Sequence, residues 1–316
     1  MTLTGDTIGY YKDYTGNLAH LATTMQRRWF YTGQWSAYLG QRRGKPVDDV
    51  APMRFVYCIQ NHDQIGNRPA GDRLHEGVAL AAARATPTYR AHWGTEEAAS
   101  EVALAAYRAI SALLLLSPYT PLLFMGQEWA ASTPFLYFTE HHPELGQLVA
   151  EGRRREFAER GASANINIPS PQDQATFRQS KLLWGEREAQ PHAGVLRLYR
   201  DLLDLRRQHP ALRSRSHQSM DMLLFDDTGL MMRRTDGQNR VSLWLIVNLI
   251  GSLRFDLACL PIRPSSGDHV WRTLLNSEDT GYSGSDSRCW VEDGRIVVMN
   301  GPGALLLDPC TNRPSL

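Results

Sequence analysis

Residues 55–74, FVYCIQNHDQIGNRPAGDRL, contain the transition on which the fold prediction depends. Residues 55–59 form a short apolar run of β-branched and aromatic side chains, which is typical of a strand buried on both faces. The run then gives way to Asn61, His62 and Asp63. Because ligands of parallel α/β proteins bind at the carboxyl ends of the strands, we predict a functional site at this polar triplet.

A second short apolar run, residues 121–125, ends in the same way. Ala-rich, helix-forming sequence beginning at Thr95 precedes it, and Gln127 and Glu128 follow it closely. A helix, an apolar strand and polar residues at the carboxyl end of that strand together indicate a β/α unit of a parallel sheet. We therefore predict that Asp63 and Glu128 lie at the ends of neighbouring strands.

The composition is that of an ordinary soluble globular protein, with 42% hydrophobic and 21% charged residues. A net charge of +1 gives no electrostatic reason to expect nucleic acid or an anionic membrane as a partner. The four cysteines form no C-x-x-C pair and the N-terminus shows no export signal, which predicts a cytoplasmic protein without a disulfide framework. The most apolar segment, residues 102–116, is short for a membrane span and carries Arg108, so we predict no transmembrane helix.

The length of 316 residues suits two domains of roughly 150 residues each. Residues 193–208 have the apolar spacing of an amphipathic helix. From about residue 216 the sequence changes to short apolar runs separated by turn signals such as Asp236-Gly237, which is typical of an antiparallel β-sandwich. We predict one domain over residues 1–213 and a second over residues 214–316.

The polar side chains at the two strand ends suit a neutral, hydroxyl-rich ligand, because carboxylates accept hydrogen bonds from vicinal hydroxyls. Asp63 and Glu128 could form a glycosidase pair, with carboxyl groups about 5 Å apart in a retaining enzyme or about 6.5–9.5 Å apart in an inverting one. Alternatively, Asp63 and Glu128 could belong to a buried network that pairs them with Arg68 or Arg73 and only stabilises the sheet. The residues by themselves leave both interpretations open.

A resemblance adds to this reading. Residues 60–74, QNHDQIGNRPAGDRL, resemble the NHDQ-x-GNR…G-[DE]-RL segment of the malto-oligosyltrehalose trehalohydrolases, a family of the α-amylase superfamily of (β/α)8-barrel glycoside hydrolases. Residues 121–129, PLLFMGQEW, are similar to the superfamily's motif at the eighth barrel strand. The resemblance covers roughly residues 3–213, with further matches at residues 138–141, 171–182 and 198–210.

The resemblance implies an α/β fold in which the C-terminal part of a (β/α)8 barrel, about strands seven and eight with their helices, precedes the β-sandwich. In this superfamily the nucleophile follows strand four and the acid/base follows strand five, both upstream of the Asn-His-Asp segment. Only residues 1–54 precede the predicted strand that leads into this segment, whereas a whole barrel takes about 250 residues. We therefore expect a truncated form that lacks the nucleophile and the acid/base and does not hydrolyse substrate by itself.

The resemblance also assigns roles to individual residues. Asp63 matches the third catalytic carboxylate, which stabilises the transition state. Gln127 and Glu128 are expected to support the end of strand eight as well as to lie near substrate. Glu140, His141 and His142 are consecutive and match no strong metal motif, so we predict no metal and no cofactor. The residues expected to bind substrate are Asn61, His62, Gln64, Arg68, Gln127, Glu128 and His141.

The expected function is that of a retaining glycoside hydrolase. The family cleaves the α-1,4 bond next to the trehalose end of maltooligosyltrehalose and releases trehalose, so the expected partner is an α-1,4-glucan oligosaccharide with a terminal trehalose. Two alternatives remain: a branching-enzyme-like or amylase-like relative, and a catalytically inactive glucan-binding fragment. Residues 32–52 are predicted to form a long loop, of which residues 33–44 either wall the substrate groove or are disordered. Residues 153–155, all arginine, are interpreted as a solvated helix face.

Overall fold

The computed structural model describes residues 2–6, 9–14, 16–78, 96–159, 168–214, 216–225, 228–239, 241–260 and 269–311. In these ranges helices dominate the first two thirds of the chain and antiparallel strands the last third. The helices are α1 (Leu18–Arg27), α2 (His62–Gly66), α3 (Glu96–Leu116), α4 (Pro143–Glu159), α5 (Gln174–Gln179), α6 (His192–Gln208) and α7 (Pro210–Arg213). The predicted start of α3 at Thr95 lies outside the described residues.

The strands fall into two groups. Four short strands lie in the helical part: β1 (Thr32–Ser36), β2 (Gln41–Gly44), β3 (Val56–Tyr57) and β4 (Thr120–Pro121). The later strands are β5 (Met220–Phe225), β6 (Gly229–Thr235), β7 (Ser242–Asn248), β8 (Leu253–Asp256), β9 (His269–Asn276), β10 (Cys289–Glu292), β11 (Ile296–Met299) and β12 (Gly303–Thr311). Strands β8 and β10 were not expected from the sequence.

Strands β3 and β4 are parallel neighbours, as the two apolar runs predicted. Val56 pairs with Thr120, and Tyr57 pairs with Pro121. The prediction that these strands are buried on both faces is wrong, since 61% of Val56 and 41% of Leu122 are exposed. One side is covered because the Tyr57 ring stacks on Tyr119 at 4.0 Å, whereas the other side meets no comparable layer of described residues.

A β-hairpin replaces much of the long loop predicted over residues 32–52. Strands β1 and β2 pair antiparallel, and the carboxylate of Asp13 binds the hairpin from outside. This carboxylate accepts hydrogen bonds from Tyr31 Oη, from Ser36 Oγ at 2.6 Å and from Tyr38 N at 3.0 Å. The loop prediction failed because these tertiary hydrogen bonds, rather than an apolar strand pattern, stabilise the hairpin.

Helix α3 is the central element of the helical part. Its alanine and leucine side chains are buried against α6 and against strands β7 and β12. The window Ala99–Leu116 is long and apolar enough to cross a membrane, but 78% of it is buried inside the protein, and we therefore interpret α3 as a core helix.

The later strands form two antiparallel sheets. One has the order β5-β6-β7-β12-β9 and the other the order β10-β11-β8. Met231, Trp244 and Ile246 of the larger sheet join Val297 and Met299 of the smaller one in a single hydrophobic cluster. The alternate residues of β6 and β7 point the other way and pack with the helices. The larger sheet is therefore covered on both faces, which explains why β6 and β7 are apolar without alternation.

A buried ion cluster joins α3 to the loop after β9. Arg108 donates from Nε to Glu278 Oε1 at 3.0 Å and from Nη2 to Glu278 Oε2 at 2.7 Å. Arg288 donates from Nε to Glu278 Oε2 at 3.1 Å. The side chains of Arg108 and Glu278 are almost fully buried. Buried side chains of the helices before residue 213 and of the larger sheet after it belong to one hydrophobic cluster. The domain boundary between residues 213 and 214 remains a prediction.

We expect Glu278→Gln to destabilise the protein by about 3–5 kcal/mol, because two guanidinium groups would lose their carboxylate in a buried place. Urea unfolding followed by circular dichroism measures this loss. Asp204→Asn is the matched control, since its ion pair with Arg207 is more than half exposed and should contribute less than about 1 kcal/mol. Equal effects of the two substitutions would contradict the assignment of Glu278 as a buried junction.

The hairpin provides a pH-dependent prediction. Hydrogen bonds from Ser36 and Tyr31 lower the pKa of Asp13 from 3.8 to about 2. Because the folded pKa lies below the unfolded one, the stabilisation is complete above about pH 3.8 and is lost as the pH falls towards 2. The NMR shift of the Tyr38 amide, which donates to Asp13, should titrate near pH 2 and should not titrate in Asp13→Asn. A midpoint near 3.8 would show that these hydrogen bonds do not hold the carboxylate.

Candidate functional site

The polar triplet lies at the turn from β3 into α2. Asn61 is the N-cap of α2, and its Oδ1 accepts a hydrogen bond from Gln64 N at 2.8 Å. Its Nδ2 lies 3.6 Å from Cys58 Sγ. A capping asparagine satisfies a helix N–H that would otherwise lack a partner, so Asn61 fixes where the helix begins. His62 and Asp63 are thereby held in its first turn.

His62 and Asp63 are accessible to solvent. Their side chains are 69% and 73% exposed, and His62 Nε2 lies 3.3 Å from Asp63 Oδ1. The thiol of Cys58 behind them is half-buried, and burial raises its pKa, so it remains protonated at neutral pH. The structure thus presents a carboxylate with an adjacent imidazole, and no thiolate nucleophile, at the carboxyl end of β3.

The end of β4 differs in its accessibility. Gln127 is fully buried; its Nε2 donates to Tyr199 Oη at 3.1 Å, and its Oε1 accepts from Phe124 N at 3.3 Å. The predicted substrate contact of Gln127 is therefore wrong for this structure, because both ends of its amide bind protein groups. Its role in supporting the strand end stays a prediction. Glu128, in the same turn, is half-buried.

The two arginines do not form the buried network considered from the sequence. Arg68 donates from Nε to Asp72 at 2.5 Å and from Nη1 to Asp6 at 2.8 Å. Two carboxylates therefore bind the Arg68 guanidinium group in the structure, and its substrate contact stays a prediction.

Arg73 is fully buried and donates to two backbone carbonyls, those of Thr133 at 2.6 Å and Met125 at 2.9 Å. Burial lowers the pKa of its guanidinium group. These two hydrogen bonds connect Arg73, in the segment after β3, to main-chain carbonyls in the segment after β4. The Arg73 side chain, rather than Asp63 or Glu128, therefore holds the ends of the two parallel strands together.

Gln64 and His141 are placed differently from each other. The side chain of Gln64 is half-buried, and its Oε1 has no hydrogen-bond partner among the described residues. His141 is exposed and lines a surface cavity of about 510 Å³ with Gln147 and Gln172. Asp63 is not among the residues that line this cavity. The structure therefore groups Asn61, His62, Asp63 and Gln64 at the start of one helix and places His141 in a separate surface cavity.

Sequence reasoning missed the part played by Arg153. Its Nη2 donates to Gly66 O at the end of α2 at 2.8 Å, and its guanidinium lies 4.4 Å from the centre of the Tyr137 ring. Arg153 had been interpreted as part of a solvated helix face, since three successive arginines on a helix suggest solvent. Arg154 and Arg155 are exposed as expected, whereas Arg153 connects α4 to the helix of the polar triplet.

The residues that could hold a metal do not converge. Within the part of the chain that the structure describes, no three His, Cys, Asp or Glu side chains form a group that could hold an ion. The triplet offers hydrogen-bonding groups: the Asp63 carboxylate accepts, and the two ring nitrogens of His62 can each take part in a hydrogen bond. Such a pair can bind two hydroxyls of a sugar.

Comparison with curated proteins gives several matches of one kind. The malto-oligosyltrehalose trehalohydrolase of Deinococcus radiodurans is 46% identical over 246 residues, which are 77% of this chain and 37% of that protein. The protein of the same name from Arthrobacter ramosus is 42% identical over 66% of this chain and 32% of its own length. This chain therefore spans about a third of the length of the curated relatives it matches. No family model matches it.

Comparison with solved structures agrees with these matches. The crystal structure of a Salmonella typhimurium protein assigned as an alpha amylase has a TM-score of 0.71 at 31% identity, covering 97% of this chain and 44% of that one. The type I pullulanase of Bacillus subtilis, solved with maltose, has a TM-score of 0.51 at 15% identity over 94% and 31% of the two chains, and supports the fold alone.

These comparisons confirm two expectations. The α/β fold is that of glycoside hydrolases of the α-amylase type. The sequence similarity first recognised at residues 60–74 and 121–129 extends over most of the chain, with 46% identity over 77% of it in one relative and 42% over 66% in another. The chain is thus a relative of the malto-oligosyltrehalose trehalohydrolases of the α-amylase superfamily, matched over about a third of their length.

Proposed function

We propose that this chain carries one side of the active site of a retaining glycoside hydrolase. The reaction is cleavage of the α-1,4 bond next to the trehalose end of maltooligosyltrehalose, with release of trehalose. The observation that carries the proposal is the accessible Asp63 carboxylate at the carboxyl end of β3, in a chain 46% identical to a malto-oligosyltrehalose trehalohydrolase.

In this proposal Asp63 binds hydroxyls of the sugar at the cleavage point. As the sugar ring flattens towards an oxocarbenium ion its hydroxyls become better donors, so a fixed carboxylate binds the transition state more tightly than the substrate. His62 orients Asp63 through the 3.3 Å contact between His62 Nε2 and Asp63 Oδ1, and His62 also binds the same sugar. Asn61 holds the turn through its hydrogen bond from Gln64 N. Glu128 supports the neighbouring strand end.

The nucleophile and the acid/base belong, in this proposal, to segments that this chain does not contain. Asp63 acts as the transition-state stabiliser and Glu128 as a support of the neighbouring strand end, so the two do not form the hydrolytic pair. The chain alone then binds α-1,4-glucan weakly and does not cleave it. Cleavage by the isolated chain would refute this assignment of the missing carboxylates.

The finer architecture follows from the same proposal. Strands β3 and β4 are assigned to positions seven and eight of a (β/α)8 barrel, in a domain over residues 1–213, and the two antiparallel sheets form a β-sandwich domain over residues 214–316. Parallel pairing of β3 with β4 and the exposed apolar side chains beside them support this assignment, because a closed parallel barrel buries both faces of its strands.

We expect Asp63→Asn to lower the rate of trehalose release by at least about a thousandfold, because the neutral amide loses the charge that stabilises the oxocarbenium ion. The measurement uses a chimaera in which this chain replaces the matching segment of the Deinococcus radiodurans relative, with maltooligosyltrehalose as substrate. Asp204→Asn, an exposed change on α6, is the control and should leave the rate unchanged. A rate for Asp63→Asn within threefold of the parent would reject the role of Asp63.

The exposed faces of β3 and β4 give a second expected outcome. The isolated chain should bind a hydrophobic fluorescent dye such as anilinonaphthalene sulfonate, because Val56 and Leu122 lie in an apolar patch that more barrel strands would cover. Val56→Thr with Leu122→Thr should reduce the dye fluorescence at least twofold without lowering stability. Leu148→Thr, an equally exposed change on α4, is the control and should have little effect. Equal losses in both variants would argue against an uncovered strand face.

A further inference from the structure

Arg153 of helix α4 reaches the short helix that carries Asp63. Its Nη2 donates to Gly66 O at 2.8 Å, and its Nη1 donates to Asn67 Oδ1 at 3.4 Å. Gly66 is the last residue of α2, and Asn67 is the C-cap of that helix. The last carbonyls of a helix have no partner within the helix, so a guanidinium group that binds one of them fixes where the helix ends.

Two aromatic rings hold the guanidinium group of Arg153 in place. Its central carbon lies 4.4 Å from the centre of the Tyr137 ring and 5.0 Å from the centre of the Phe157 ring. Phe157 lies one turn further along α4 and is buried. Because a guanidinium group that lies against aromatic rings keeps little freedom to rotate, its hydrogen bonds to α2 cost less side-chain entropy than those of a solvated arginine.

The position of Asp63 depends on how the two ends of α2 are held. The helix has five residues, His62–Gly66, and Asn61 caps its first end while Arg153 binds its last carbonyl. Within the helix, Asn67 N donates to Asp63 O at 3.2 Å. The Asp63 side chain is 73% exposed, so the backbone of α2, rather than packing around the carboxylate, determines where this carboxylate lies.

The same guanidinium group joins α2 to residues 135–141, the segment that ends at His141. The end of α2 packs against this segment, because a Cβ atom added at Gly66 would lie 3.8 Å from the Phe135 ring and 4.0 Å from Tyr137 N. The Tyr137 ring in turn lies against Arg153. Arg153 therefore contacts both the helix of Asp63 and the segment that leads to His141.

We propose that Arg153 is a positioning residue for Asp63, which holds α2 in place relative to residues 135–141. The kinetic consequence rests on the hydrolase function proposed above, whereas the effect on α2 does not. A misplacement of about 1 Å at a reacting centre costs on the order of a hundredfold in rate. Because the Asp63 carboxylate binds the transition state more tightly than the substrate, its displacement lowers kcat more than it raises KM.

The first test follows α2 in the full 316-residue chain and involves no catalysis. Arg153→Ala should raise the hydrogen-exchange rate of the Asn67 amide, which donates to Asp63 O, by about tenfold, because α2 loses the contact that holds its end. Arg155→Ala, which removes an exposed arginine of the same helix, is the matched control and should leave this rate unchanged. Equal exchange rates in Arg153→Ala and the parent would overturn the proposal.

The second test measures kcat and KM for maltooligosyltrehalose in the chimaera described above. Arg153→Ala should lower kcat by about ten- to a hundredfold, with KM within about twofold of the parent value. In an Asp63→Asn background the same substitution should change kcat by less than about twofold, because Arg153 acts through Asp63. Arg153→Lys, which keeps one donor for Gly66 O, should recover part of the loss, and Arg155→Ala should change neither constant.

The double substitution separates positioning from stability. A loss of kcat on Arg153→Ala that is equally large with and without the Asp63 carboxylate would show a role in stability alone and would overturn the proposal. An unchanged kcat in Arg153→Ala, together with a large loss in Asp63→Asn, would overturn it while leaving the hydrolase proposal intact. A rate near that of the parent in Asp63→Asn would instead reject the hydrolase proposal, and the kinetic role of Arg153 with it.

Discussion

The packing of α3 between two layers is the constraint on which the rest of the structure depends. One side of the helix meets α6 and the turn after β4: Tyr107 Oη donates to Gln127 O at 2.6 Å, and Ser111 Oγ lies 2.8 Å from Tyr199 Oη. The other side meets the larger sheet, where Arg108 binds Glu278. The position of the β4 exit and the position of the C-terminal sheets are therefore fixed by the same helix.

At the candidate site, the side chains that hold the strands in place differ from those that are accessible to a ligand. The buried side chains of Arg73 and Gln127 hold the carboxyl ends of the two strands through hydrogen bonds to other protein groups. Both side chains are therefore unavailable to a ligand. Asp63 and His62 do not hold the strands together, and their side chains remain exposed. A carboxylate that is not needed for stability is free to be used in binding, which is why Asp63 rather than Glu128 is the better candidate for contact with sugar.

One face of β3 and β4, the two strands that lead into the candidate site, is uncovered. Parallel strands are normally buried on both faces, yet Val56 and Leu122 are largely exposed. The relatives matched here are about three times as long as the matched segment, and the Salmonella typhimurium protein of known structure also extends well beyond it. The exposed apolar face and the proposed missing carboxylates are accounted for together if further barrel strands pack on this surface.

The sequence by itself determined the parallel pairing of β3 and β4, the helix α6 and most strands of the C-terminal sheets, because each depends on local pattern. It also determined the family resemblance through residues 60–74. Only the tertiary structure decided which polar groups are free. The side chains of Gln127, Arg68 and Arg153 have partners that are far away in sequence, namely Tyr199, Asp6 and Gly66. Burial and hydrogen bonding between distant segments leave no periodic trace in a chain, so accessibility at a site is decided by the fold.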